Sequence, residues 1–448
     1  MLIDFEVGNF LSFKDPVRLS MLAATPYKEY LEANTIEAGG LRLLKSAAIY
    51  GANASGKSNL IAAMRFMRYF VLSSSKDTQV EDAIPVNPFL LDAVTENAPS
   101  RFEIQFIQNG IRYRYGFEAD AKAVRKEWLL RATKTRETIL FLREDDGIDV
   151  RKEFEEGSGL ETKTRDNALF LSVVAQFNGS ISAKILRWFA DFQVMHGLRD
   201  TELERYTIQC LQDASKRTQL IRLIQGADVG ITNLVVTEAT YGIADETLER
   251  LPAALVSELQ VQRQLKISAV HQKFSKGEAD GLVTFDFNKM ESEGTKKFLR
   301  MAAPLLDCLN NGYVVAIDEL DAKLHPLLTK AIVGLFNSAE RNPKGAQLIL
   351  TTHDTNLLEY GKLRRDQIWF TEKDHLAATA LYSLAEFKLP DGTKVRNDAA
   401  LETNYIRGRY GAIPYLGNFN NLLKGARHGE TGVGTRCGRQ GVSAKPTL

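Results

Sequence analysis

The chain has 448 residues, 44% hydrophobic and 25% charged, which is apolar material enough for one large or two ordinary globular domains. Its 57 Lys and Arg nearly cancel its 56 Asp and Glu, so no global field draws it to nucleic acid or an acidic membrane. Cys210, Cys308 and Cys437 lack CxxC or His-paired spacing, which argues against a zinc site or a disulfide framework.

From the start, MLIDFEVGNF carries Asp4 and Glu6 where a signal peptide would be basic. No apolar run approaches the ~18 residues of a membrane span, so a cytoplasmic location without membrane contact is expected. The stretch LIDFEVGNFLSFKD alternates apolar and polar residues and reads as two strands; LKSAAIYG is a third, ending at Gly51. Asn59 to Leu72 follows with helical apolar spacing and neither Gly nor Pro. Within Arg101 to Leu130, Asn109-Gly110 sits between two alternating runs, a strong hairpin signal. Ala183 to Ala279 reads as mostly helical, with Glu202 to Ile224 and Glu246 to Lys266 as the longest candidates, interrupted by the strand-like Ile231 to Thr237. A strand at Phe285 to Phe287, a helix across Gly294 to Leu306, strand Tyr313 to Ile317, a helix from His325 and strand Gln347 to Thr351 then follow. That alternation predicts an α/β fold around a parallel sheet, with an antiparallel β subdomain and an inserted helical lid. Lys424 to Leu448 is rich in glycine and basic residues and reads as a disordered tail.

Gly51 to Ser58 reads GANASGKS, the GxxxxGKS pattern. Its glycines let successive backbone N–H groups face phosphate oxygens, Lys57 reaches the β and γ phosphates, and Ser58 offers a hydroxyl to Mg²⁺. The helix that follows adds its positive end to the same anion. ATP with Mg²⁺ is therefore the expected cofactor pair, and Gly51, Asn53, Ala54, Ser55, Gly56, Lys57, Ser58 and Asn59 are the expected contacts. YVVAIDEL (313–320) is an apolar strand delivering Asp318 and Glu319 at its end. In isolation such a strand is an ordinary one running into a solvated loop; downstream of a phosphate loop it is the Walker B pattern. Asp318 would then hold the metal with Ser58, and Glu319 would orient or deprotonate the attacking water. His353 ends QLILTTHD, where an imidazole can donate to a γ-phosphate. In ESEGTKK (291–297), Ser292 and Gly294 precede a helix whose N-terminus suits a phosphate. Ser292 or Thr295 could equally serve there as an ordinary N-cap.

The set GANASGKS, ESEGTKK, VVAIDELDAKLHP and TTHD resembles ATP-binding-cassette ATPases of the SMC, RecF and RecN kind. NFLSFKD, ADVGI, LHP and GRYGAIP are further similar to the compact bacterial AAA-type ATP-binding proteins related to RloA, discussed with OLD ATPases and phage defence. The similarity spans roughly residues 1 to 423 and implies an ABC-type core in two halves, 1–182 and 281–423, around an insertion, 183–280, with the tail at 424–448. It also implies a head-to-tail homodimer or higher assembly in which ESEGTKK, a degenerate LSGGQ signature, completes the partner's site. Asp321 and Ala322 match the D-loop, and Gln176 in FLSVVAQFN falls in the order expected of a Q-loop glutamine, against the plain alternative of an exposed polar residue. The chain contains no DxD of the kind a Toprim nuclease needs, so the implied role is an ATP-dependent switch acting on a separate effector, such as a nuclease. The alternative is a RecF-like clamp on DNA, with Lys122, Arg125, Lys126, Arg131 and Lys134 as the candidate contacts.

Overall fold

Three short runs are buried at every position: Ser46–Gly51, Val314–Asp318 and Gln347–Thr351. Strands covered on both faces are what a parallel sheet requires. The computed structural model, which describes residues 1–133, 136–196, 201–227, 229–240, 263–360, 362–389, 392–396 and 399–414, places them at the centre of a six-stranded sheet. Its order is Gln193–His196, Val314–Asp318, Gln347–Thr351, Ser46–Gly51, Ile368–Lys373 and Thr379–Ser383. All neighbours are parallel except the last pair, a hairpin. The carboxyl ends of the three buried strands therefore emerge along one edge, where ligands of open α/β sheets bind.

A second, seven-stranded antiparallel sheet runs in the order Gly147–Val150, Arg136–Glu144, Val124–Thr133, Ile111–Ala119, Ser100–Gln108, Leu2–Gly8 and Val17–Ser20. The expected hairpin is there, and Asn109 (φ 51°) and Gly110 (φ 76°) both take the left-handed conformation of a tight two-residue turn. The helix Lys57–Ser73 lies between the two sheets. Phe66 and Phe70 pack on Phe102 and Phe117 of the antiparallel layer, in one core with Ala47, Ile49, Ala316 and Ile349 of the parallel layer. Each such ring contributes about 1.5–3 kcal/mol on burial, so the helix that opens at the phosphate loop is anchored on both faces.

The expected insertion departs from a helical lid near its start, where Gln193–His196 is a strand of the six-stranded sheet, and is helical across residues 201–226. The single candidate Glu202 to Ile224 is two helices, Thr201–Gln212 and Ala214–Gly226, separated at Asp213, whose side chain caps the second by accepting from the Lys216 amide. In the second half, the described residues are strand and turn. Ile231–Thr240, Arg263–Ser275 and Glu278–Asp286 form a three-stranded antiparallel sheet, so the end of the Glu246 to Lys266 candidate is strand; residues 241–262 lie outside the described residues. The turn at Lys276 (φ 51°) and Gly277 (φ 91°) closes the second hairpin. Ile208, Leu211, Leu220 and Ile224 of the insertion share a core with Phe298, Met301 and Leu305 of the helix Glu293–Asn311. The expected disordered tail lies outside the described residues.

Candidate nucleotide phosphate site

Strand Ser46–Gly51 ends in the loop, and the helix begins at Lys57. The loop curls because Ala54 (φ 60°) and Gly56 (φ 112°) reverse the usual backbone handedness, which turns consecutive N–H groups toward one concavity. A side chain at Gly56 would run into Thr379, and one at Gly51 into Ser55 and Thr371. The outer wall of the loop is a set of hydroxyls. Ser55 Oγ lies 2.7 Å from Thr371 Oγ1, and Thr379 Oγ1 lies 2.9 Å from Ser55 O and 2.8 Å from Ser12 Oγ. The Asn59 amide donates to Ser12 Oγ at 2.7 Å. Asn59, expected at the nucleotide, thus braces the loop from outside, while Asn53 and Ala54 stand exposed at its crest.

Lys57 is buried, and its ammonium donates to the carbonyls of Gly51 (2.7 Å) and Ala52 (3.0 Å), directly over the concavity. Burial lowers its pKa, opposed by the charges of Asp318, Glu319 and Asp321. Asp318, 2% exposed, accepts from Ser58 Oγ at 3.2 Å and from Thr351 Oγ1 at 2.6 Å. A hydroxyl and a carboxylate at this separation are hard oxygen donors suited to Mg²⁺, which takes few protein ligands and fills its remaining positions with water and phosphate. Glu319 adopts φ 50°, with its amide donating to Thr351 Oγ1 at 2.7 Å. A non-glycine residue held in this conformation costs ~1–3 kcal/mol, and such strain concentrates at functional sites.

The His353 side chain is exposed at the same edge, and its backbone amide donates to the Asp321 carboxylate at 3.2 and 3.3 Å. Burial of part of the ring, then the nearby Lys57 charge, hold its pKa below the usual histidine value. Ser292 is the N-cap of Glu293–Asn311, accepting from the Thr295 amide at 3.1 Å. Gly294 abuts the Lys323 carbonyl so closely that no Cβ fits. Lys57, Ser58, Asp318, Glu319, Asp321 and His353 therefore come together, and Gly294 joins the same edge through Lys323.

The family model described as "AAA domain, putative AbiEii toxin, Type IV TA system" matches residues 46–359. The chain belongs to this family. The match runs from the strand before the phosphate loop to just past His353, leaving Ser12, Thr371 and Thr379 outside it. Among solved structures, the SMC head domain from Thermotoga maritima is 15% identical, with 85% of this chain and 98% of that one covered and a TM-score of 0.38. The cbiO1 protein from Clostridium perfringens, part of the ABC transporter complex cbiONQ, is 10% identical over 82% of this chain and 87% of that one, with a TM-score of 0.28. No curated protein matches.

Within this family member, one expected site residue is misplaced. Gln176 ends the helix Phe170–Gln176 and its amide donates to Ser75 O at 3.0 Å. Ser75 lies beyond the far end of the 17-residue helix that starts at Lys57, about 25 Å along its axis from the phosphate loop. Gln176 is a surface residue at the opposite end of that helix, not a nucleotide contact. Conversely, the sequence does not mark Thr351, Thr371, Thr379 and Ser12 as site residues, although Thr351 lies within TTHD and Ser12 within NFLSFKD. Among the described residues no helix is long and apolar enough to cross a membrane.

Proposed function

We propose that this chain binds ATP with Mg²⁺ in the Gly51–Asn59 loop and hydrolyses it. The observation that carries the reading is the joint position of Ser58, Asp318 and the strained Glu319 beside the buried ammonium of Lys57. Lys57 neutralises β and γ oxygens, Ser58 and Asp318 hold the metal, and Glu319 takes the proton of the attacking water. His353, uncharged near neutrality, donates to the γ-phosphate from the next strand. Mg²⁺ supplies charge neutralisation between the phosphates.

The functional unit of this reading is a head-to-tail pair in which Ser292 and Gly294 of one copy close the nucleotide site of the other, with Asp321 at the seam. Two nucleotides are then buried, and the output of hydrolysis is a change of assembly felt by a separate effector in phage defence. The family description names a putative AbiEii toxin of a type IV TA system, which favours a conflict role over housekeeping repair. For the DNA-clamp alternative the basic run is poorly placed: Arg125 pairs with Asp120 at 2.6 Å and Lys126 with Glu118 at 3.7 Å, which reduces the charge available to phosphates.

The test is ATP binding, hydrolysis and sedimentation of the full chain and two variants. Lys57→Ala should lose ATP binding, and Glu319→Gln should bind ATP, turn over slowly and accumulate dimers. Wild-type turnover by Glu319→Gln would remove the catalytic assignment. Dimers unaffected by Ser292→Arg would remove the paired site.

A further inference from the structure

One turn inside the capped end of Glu293–Asn311 stands a lysine that none of these roles uses. Lys297 is 6% exposed, and its Nζ donates to three backbone carbonyls: Glu319 at 2.6 Å, Ala322 at 2.8 Å and Leu320 at 3.1 Å. An ammonium has three donors, and here all three meet one four-residue segment, the segment that begins with the residue assigned to the attacking water. Burial pulls the Lys297 pKa down to about 8 against the attraction of Asp321, Glu319 and Asp318, with Lys323 opposing them. The same helix end presses Gly294 on the Lys323 carbonyl, and Glu293 pairs with Lys323 at 3.4 Å. The segment needs such support, because Glu319 and Lys323 both hold positive φ, 50° and 62°, a conformation that persists only where the surroundings impose it.

We infer that Lys297 is a positioning residue that locks the helix carrying Ser292 and Gly294 to the Glu319–Ala322 segment, so that seating this helix end on a second copy's nucleotide sets Glu319 in the first. The transmission rests on the paired-site reading above; the lock itself belongs to one chain. Its consequence is that the two sites of a pair are linked. A copy whose helix end is not engaged leaves its own Glu319 carboxylate out of register with the water it must activate.

The experiment uses the full chain with Lys297→Met and Lys297→Arg, measuring kcat and KM for Mg-ATP together with backbone hydrogen exchange in the nucleotide-free protein. Lys297→Met should lose kcat on the order of 10²-fold, the scale of a misplaced catalytic group, while KM stays within about twofold. Exchange should quicken across residues 319–323 and stay unchanged across 51–59. Lys297→Arg, which keeps charge and several donors, should recover much of the kcat. Wild-type kcat in Lys297→Met, or unaltered exchange at 319–323, overturns the proposal. A wild-type chain that hydrolyses no ATP would defeat the proposed function, and the exchange comparison would still decide the lock, quickened exchange supporting it and unaltered exchange refuting it. Where Lys297→Met does not fold, Lys297→Gln carries the same comparison with two donors retained.

Discussion

The hydroxyl of Thr351 donates to Asp318 Oδ1 at 2.6 Å while accepting the amide proton of Glu319 at 2.7 Å. The two strands are parallel neighbours, Ile317 pairing with Leu350, so this one buried side chain bridges the ends of both and orients the two acids. Thr351→Val keeps the shape and removes the bridge, taking from Asp318 Oδ1 the shorter of its two hydroxyl donors and from the Glu319 N–H its hydroxyl acceptor. The expected cost is about 1–3 kcal/mol of stability with slower ATP turnover, both restored by Thr351→Ser. Denaturant unfolding and steady-state hydrolysis measure the pair; a valine variant equal to wild type in both would refute the bridge.

The lowered pKa of His353 sets a pH limit. Burial and then Lys57 disfavour its charged form, so the imidazole stays neutral as pH falls to the ordinary histidine value and gains its proton only below it. An interaction that needs neutral His353 is therefore present above that window and lost beneath it. The acid limb of kcat/KM, which reports the free protein, should lie below about 6.5 and be absent in His353→Gln. An acid limb above the ordinary histidine value, or one unchanged in the variant, would count against this role.

What could be read from the sequence was local. GANASGKS, AIDEL and TTHD each pack their chemistry into a few consecutive residues at a strand end, and the structure assembles all three at one sheet edge because the strands are parallel. The hydroxyl wall was not legible, because Thr379 meets Ser12 across 367 positions and Thr371 meets Ser55 across 316. Nothing in the neighbourhood of a threonine announces such a partner. The Arg263–Asp286 hairpin is a different case: period-two alternation and Lys276-Gly277 were present, but a long helix candidate running to Lys266 masked them. For Gln176 the sequence offers only motif order, which carries no distance.

The surface position of Gln176 predicts a neutral substitution. Among the described residues the Gln176 side chain makes one hydrogen bond, to Ser75 O, at an exposed position. Gln176→Ala should leave kcat and KM for ATP unchanged and move stability by no more than about 0.5 kcal/mol, as exposed substitutions do. A large loss of turnover would return the residue to the site.

Gly56 combines two constraints that a double-mutant cycle can separate. Its φ of 112° lies where an L side chain is strained whatever the space, and a Cβ would also strike the Thr379 side chain. Gly56→Ala should therefore abolish ATP binding and cost roughly 1–3 kcal/mol from backbone strain, with the clash added. Thr379→Ala alone removes the contacts to Ser55 O and Ser12 Oγ, costing about 1 kcal/mol, and loosens the loop wall. Combined, the two changes should be less damaging than their sum, because the second removes atoms that the first would strike. Recovery must stay incomplete, since the backbone strain and the lost hydroxyl remain. Full recovery would mean that φ at Gly56 relaxes freely, and strict additivity would mean that Thr379 does not limit the space; either result, read by thermal unfolding and ATP titration, would contradict the brace of Thr379 on the phosphate loop.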